Sequence, residues 1–295
     1  MHVLELIIFL VPTYILSLSI YGYGSFFKNF FLKTEEDNIA LIGLYGAFLL
    51  LIISYFTNIF FAHGMIHNLL VFAAGLIFLL NNKKLKSILK GNLIIFLFIL
   101  GFLIFKNHDD FSYYHFPYTY YLTQENLIIG TGSLNHGFRT PSSIFYLNSI
   151  FYLPYVKYFS FNIGATLLFG VSNLILIFQL KDDYKNKKYD FIFFLTLLSF
   201  LFINIFFYRI SEHGTDRSAQ ILILILFIEI FKLFRNKIIY QNFFSKIFIL
   251  LGLIISLKAF YVLYLLALIP ILFYIKEHNQ KNLIENLFKN FYFYL

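Results

Sequence analysis

The residues able to carry acid–base or ionic chemistry crowd into a few short stretches. The first is Asn107-His108-Asp109-Asp110, followed at once by Tyr113, Tyr114 and His115. Adjacent carboxylates in a partly desolvated cleft can act as general bases, and closeness or burial raises their pKa. Their oxygens also suit a divalent cation, although no ligand spacing here picks one out. Against this stands a plain solvated helix end, the commoner role of an isolated Asp pair.

A second cluster is Arg209-Ile210-Ser211-Glu212-His213-Gly214-Thr215-Asp216-Arg217-Ser218-Ala219-Gln220. Its ionisable side chains fill a connection that needs only a turn, so Glu212, His213, Asp216 and Arg217 are candidates to line one cleft with Asp109 and Asp110. Asp216 has a structural alternative as the N-cap of the helix that follows. In Asn135-His136-Gly137-Phe138-Arg139, Arg139 offers a guanidinium able to hold a phosphate or carboxylate through two hydrogen bonds. Its alternative is pairing with lipid headgroups, and His136 alone is a weak signal. Lys258 stands by itself within Ser256-Leu257-Lys258-Ala259-Phe260. A charge deep in a bilayer costs about 3 kcal/mol or more and so marks function by default; the alternative is a lysine that snorkels to the interface.

The composition says what kind of scaffold must position these residues. Of 295 residues, 60% are hydrophobic and 13% charged, about half the charge of an ordinary soluble domain, and the mean hydropathy is +0.76. Apolar runs lie at about 2–22, 40–61, 64–80, 92–106, 161–180, 190–208 and 219–234, with a longer one at 246–275. Such runs approach the ~20 residues needed to cross a hydrocarbon core. Helices are the expected form, because a lipid-exposed backbone must bond to itself and no barrel-like alternation is present. With no cysteine, disulfides, thiolate metal sites and cysteine nucleophiles are excluded. The net charge of +8 does not imply a nucleic-acid partner, since the basic residues sit in short loops between spans. No Walker A, dinucleotide, HExxH or GxSxG motif occurs, which argues against an ATP-driven pump or a zinc protease.

Basic loops set the orientation. Lys83 to Lys90, Lys181 to Lys188, and Lys232, Arg235, Lys237 and Lys246 read as cytoplasmic, which places 107–160 and 209–218 outside in a multi-pass protein of the cytoplasmic membrane. The run 246–275 is either one tilted helix or a hairpin bending near Lys258; the hairpin keeps Lys276, Lys281 and Lys289 with the other basic loops and is preferred. No basic, cleavable leader precedes the first run, because Glu5 follows Met1 closely. Segment 107–160 is too aromatic for a solvated loop and too broken to span. Gly130-Thr131-Gly132-Ser133 is a loop signal, and Thr140-Pro141-Ser142-Ser143 predicts a helix with Thr140 as N-cap and Pro141 at the first helical position, running through Ile144 to Leu153. Two short helices lying in the outer interface are expected there. The chain closes on Phe291-Tyr292-Phe293-Tyr294-Leu295, an apolar run expected to begin another span of a longer protein.

A span ending in an acidic pair, followed by aromatic interfacial helices, resembles the GT-C class of glycosyltransferases. Gly252-Leu253-Ile254-Ile255-Ser256-Leu257-Lys258 is similar to the Gly-Leu-to-Lys stretch of bacterial members. More narrowly, Asp109 to His115 and Gly214-Thr215-Asp216-Arg217-Ser218 look like a family of bacterial membrane proteins often associated with surface-polysaccharide genes. The class resemblance covers roughly 92–275, leaving 1–91 as a three-span extension and 276–295 as the start of a further segment. It departs from the class in having three further spans before the one that ends in the acidic pair. The resemblance implies an all-α GT-C-like bundle that moves a sugar from a polyprenyl-phosphate donor to an envelope glycan or lipid acceptor. Asp109 or Asp110 would be the base, with Tyr114, His115, His136, Arg139, Glu212, His213, Asp216, Arg217 and Lys258 binding substrate. The competing classes are a transporter or flippase for lipid-linked saccharides, a polysaccharide polymerase, and a non-catalytic assembly partner. A transporter calls for polar residues along a midplane path; here Asn173, Gln179, Asn204 and Glu229 are scattered.

Overall fold

The computed structural model describes residues 3–33, 38–80, 82, 84–99, 110–139, 141–207, 215–236 and 243–277. Among these the fold is helical throughout, with no strand. Eleven α-helices follow one another: α1 Val3–Phe27, α2 Ile39–Phe60, α3 Met65–Leu80, α4 Leu85–Ile99, α5 Phe116–Gln124, α6 Ser143–Ser149, α7 Ile163–Lys185, α8 Phe191–Phe206, α9 Asp216–Asn236, α10 Phe243–Leu257 and α11 Leu268–Glu277. Three helical stretches, Ile39–Phe60, Lys157–Lys185 and Ala259–Glu277, are long and apolar enough to cross a membrane.

Helix α7 is the axis of the bundle. Its residues from Ile163 to Leu176 are buried, and α2, α4, α6, α8 and α9 pack around it. The first three helices meet more closely, backbone to backbone. A Cβ on Gly22 of α1 would overlap the Gly75 carbonyl of α3, and one on Gly24 would overlap the Ile42 carbonyl of α2. Contacts this close are open only to small residues, the usual device where apolar helices associate. Ser19 and Tyr23 of α1 then donate hydrogen bonds to the Phe72 and Val71 carbonyls, at 2.9 and 2.5 Å.

The chain bends at Lys258, whose extended backbone (φ −151°, ψ 112°) ends α10. Beyond it a 3-10 turn series (Ala259–Ala267) and α11 run back alongside α9. Gln220 bonds to Tyr261, Phe227 meets Tyr264, and Phe234 meets Tyr274, in the same order along both segments. The hairpin preferred on charge grounds is the arrangement found. Two ends of the bundle follow. One carries segment 110–160, the start of α9 and Lys258, and is called the loop end. The other gathers the ends of α7 and α9 and the starts of α8 and α10, with their lysines and Arg235, and is called the basic end.

Within segment 110–160 two expectations change. Helix α6 starts two residues later than predicted: Ser142, extended at φ −81°, ψ 143°, caps the Ile144 amide. Its hydroxyl also lies 2.5 Å from the Leu257 carbonyl, which ties the cap to α10. The helix ends at Ser149 rather than Leu153. It is also buried along its whole length instead of lying in an interface, because its polar groups all find partners: Ser143 bonds Ser256, and Asn148 accepts from the Gly164 amide that opens α7. Only α5 is two-faced, burying Tyr118, Thr119, Leu122 and Thr123 while Tyr120 faces out.

Candidate functional site

A wide π-type turn, Phe111–His115, leads into α5. Such turns often sit at functional sites, because the extra residue redirects side chains. Here Asp110 precedes the turn, and Tyr114, four residues on, lies within it. The turn is braced from behind: Asn135 donates to the Tyr113 carbonyl at 3.2 Å, and Gly137 lies against the Tyr114 ring so closely that no Cβ would fit. His115 points inward, buried against Phe145, with Tyr114 packed edge-on to it.

Asp216 is the first residue of α9 rather than the N-cap before it. Its carboxylate accepts from Lys258 Nζ at 3.1 Å and from the Tyr261 hydroxyl at 3.4 Å. The pair is open, with side-chain exposures of 41% for Lys258 and 47% for Asp216. The Tyr114 hydroxyl is held above its ordinary pKa, first by burial and then by the negative charges of Asp110 and Asp216. Asp110 and Asp216 are thus both near enough to Tyr114 for their charge to be felt at its hydroxyl. Charge separation of this kind suits a site that removes a proton at one edge and holds an anion at the other.

The other candidate residues are dispersed. His136 and Arg139 are exposed in the turn beyond Tyr114, and Arg139 Nε points to the Gly132 carbonyl at 3.4 Å. Arg217 lies half-buried in the first turn of α9. Asp109, Glu212 and His213 fall outside the described residues. Among the described residues no three His, Asp or Glu side chains come together to hold a metal ion.

Tyr261 carried no sequence signal of its own; it reaches Asp216 because the bend at Lys258 returns the chain within three residues. Its hydroxyl also accepts from Gln220, the last residue of the second cluster, one turn along α9 from Asp216. Beneath the site is a second unpredicted feature, a neutral polar hub at the α2–α3 turn. His63 Nε2 donates to the Ser54 carbonyl at 3.0 Å, and Nδ1 lies 2.6 Å from the Ser149 hydroxyl. Asn68 donates to the carbonyls of His63, Ser149 and Tyr152. The His63 pKa is pushed down to about 3, mainly by burial, with His67 adding to the shift and the bond to Ser54 opposing it. The ring is therefore neutral and ties α6 to α2, while the His63 backbone amide donates to the Leu122 carbonyl of α5 at 2.8 Å.

The fold and site thus define an all-helical bundle with an open acid–lysine–tyrosine cluster at one end. The chain belongs to a family described as a domain of unknown function, DUF8201, whose model matches residues 6–295. No curated protein and no solved structure matches it.

Proposed function

We propose that the chain is a multi-pass protein of the bacterial cytoplasmic membrane whose loop end is the active site of a GT-C-like glycosyltransferase. The membrane reading is supported by what faces outward. On α8 the exposed residues include Phe191, Phe194, Leu198, Phe202, Ile205 and Phe206, and α3 exposes Ile66, Leu69, Leu70 and Ile77. Apolar stripes of this extent fit lipid and not water. The basic residues gather at one end, which the positive-inside rule assigns to the cytoplasm, leaving the loop end outside.

The observation that carries the catalytic reading is the Asp216–Lys258–Tyr261 cluster at the loop end, with Tyr114 near enough to feel the charge of both Asp110 and Asp216. In the proposed reaction a carboxylate of the Asp109–Asp110 pair takes the proton of an acceptor hydroxyl. The oxygen attacks the anomeric carbon, the bond from that carbon to the phosphate oxygen breaks, and polyprenyl phosphate leaves. Lys258, exposed beside Asp216, is positioned to meet the leaving phosphate, with Arg217 next to it in the first turn of α9. Tyr114 and Tyr261 supply rings and hydroxyls for a sugar. The Asn204 amide of α8 is spent on Asn173 of α7 at 2.6 Å, so these midplane amides serve helix packing and lend no support to a transport path.

The test is complementation in the native host with Asp109→Asn and Asp110→Asn, scoring surface-glycan composition and membrane insertion together. Loss of a glycan modification by either variant, with normal insertion, is expected. If both support wild-type glycans, the acidic pair is not catalytic and the proposal fails.

A further inference from the structure

The basic end holds a cavity of about 470 Å³ between the start of α2, the end of α7, α9 and the start of α10. Lys181, Lys185, Lys232 and Lys246 line it against Asp182 and Glu229, an excess of positive charge. The carboxylate of Glu229 is almost fully buried and is committed to two of the lysines, Lys232 at 2.7 Å and Lys246 at 3.3 Å. The neighbouring Asp183 is likewise committed, to Arg235 at 3.0 Å and Gln179 at 2.6 Å. Lys181 and Lys185, one turn apart on α7, are exposed and have no ion-pair partner among the described residues. Leu41, Ile175 and Phe178 supply an apolar wall. The start of α2 opens onto the same space, and a helix start favours an anion.

We propose that this cavity binds a phosphate-bearing anionic headgroup, with Lys181 and Lys185 on the phosphate and the apolar wall against the group it is attached to. The volume suits a small ligand, and basic pockets between helices at the cytoplasmic surface are suited to anionic lipid headgroups. Assigning the lipid source rests on the membrane reading above; the phosphate chemistry does not.

The test uses the full chain purified in a non-ionic detergent and titrated with dioctanoyl phosphatidylglycerol, dioctanoyl phosphatidylcholine and inorganic phosphate. The glycerol lipid should bind, the choline lipid should bind much more weakly, and phosphate should compete. Each lysine near an anionic headgroup is worth about fivefold, so Lys181→Gln with Lys185→Gln should weaken binding by roughly 30-fold. Lys157→Gln at the loop end should leave it unchanged. Glu35, Glu36 and Asp37 precede α2 in the chain and lie outside the described residues. Glu35→Gln with Glu36→Gln should bind as tightly as the parent or more so. Phosphate binding that depends on the two lysines, without added affinity from the lipid, upholds the site and assigns it to a soluble phosphate. Equal binding of both lipids, or binding indifferent to the two lysines, overturns the proposal. Extraction of the chain from membranes by alkaline carbonate would overturn the membrane reading separately, and the phosphate arm would still decide the site.

Discussion

The two ends of the bundle handle charge in opposite ways. At the basic end the ion pairs are part of the packing. Glu229 and Asp183 have side-chain exposures of 7% and 3%, and Arg235 of 17%. At the loop end the packing is done by neutral hydrogen bonds, through His63, Asn68, Asn58 and Ser142, while the Asp216–Lys258 pair is left open to solvent. Buried charges must be satisfied by the protein and so hold structure. Exposed charges on a scaffold that does not need them are free to meet a ligand. Under the proposed function, the basic end holds the bundle together and the loop end carries the chemistry.

The largest expected effect tests the first half of that assignment. Glu229→Ala leaves Lys232 and Lys246 without their shared carboxylate inside the bundle and should cost about 3 kcal/mol, since breaking a buried pair strands its partner. Unfolding in mild detergent, followed by helix content, measures it. A loss below about 1 kcal/mol would mean that the basic end is as loosely held as the other, and the contrast would disappear.

A pH dependence sharpens the second half. The His63 pKa is lowered in the folded state, to about 3 against 6.5. Below pH 6.5 the unfolded chain therefore takes up a proton that the folded chain refuses. The stability His63 contributes is complete above that value and is lost as pH falls from about 6.5 toward 3. From pH 7 to pH 5 the loss is about 2 kcal/mol. His63→Gln should flatten this slope, whereas Lys258→Gln should leave it intact. An unaltered slope in the His63 variant would show that the loop end is not held through this ring.

Much of the scaffold was legible in the sequence, and the reasons for the exceptions are physical. Long apolar runs and basic loops mark α2, α7 and α9 to within a few residues, and the charge rule alone favours a bend at Lys258. Hydropathy cannot tell a short helix lying on a surface from one sunk in a bundle, and α6 is the second kind because Ser143, Asn148 and Ser149 find partners on other elements. Thr140 and Ser142 are both competent caps, and only the bond from Ser142 to the Leu257 carbonyl shows why the later residue wins. His63 has no local signature, as its partners Ser54 and Ser149 are 9 and 86 residues away. At the site, Asp110, Asp216 and Lys258 are recognisable as charges in apolar surroundings. Tyr261 becomes visible only once the hairpin is known.

Ser142→Ala probes the joint between scaffold and site. It removes a helix cap and a buried bond to the turn that carries Lys258, and should cost about 1 kcal/mol. Under the proposed chemistry it should also lower glycan transfer, because the Lys258 turn is less firmly held, while Ser143→Ala, whose bond to Ser256 is longer at 3.1 Å, should do less on both counts. Equal effects from the two would remove Ser142 from any positioning role.

The smallest effect is the most discriminating. An exposed ion pair contributes under about 1 kcal/mol, because solvent screens it and ordering two side chains offsets the attraction. A double-mutant cycle on Asp216→Asn and Lys258→Gln should therefore show weak coupling in stability, even as either substitution alone abolishes the proposed transfer. Added salt should reduce the coupling further, as expected for charges open to solvent. A coupling of 2 kcal/mol or more would make this pair a structural brace like Glu229 with its lysines. Both ends would then be using charge to hold the bundle, and the loop end would lose its claim to a charge kept free for substrate.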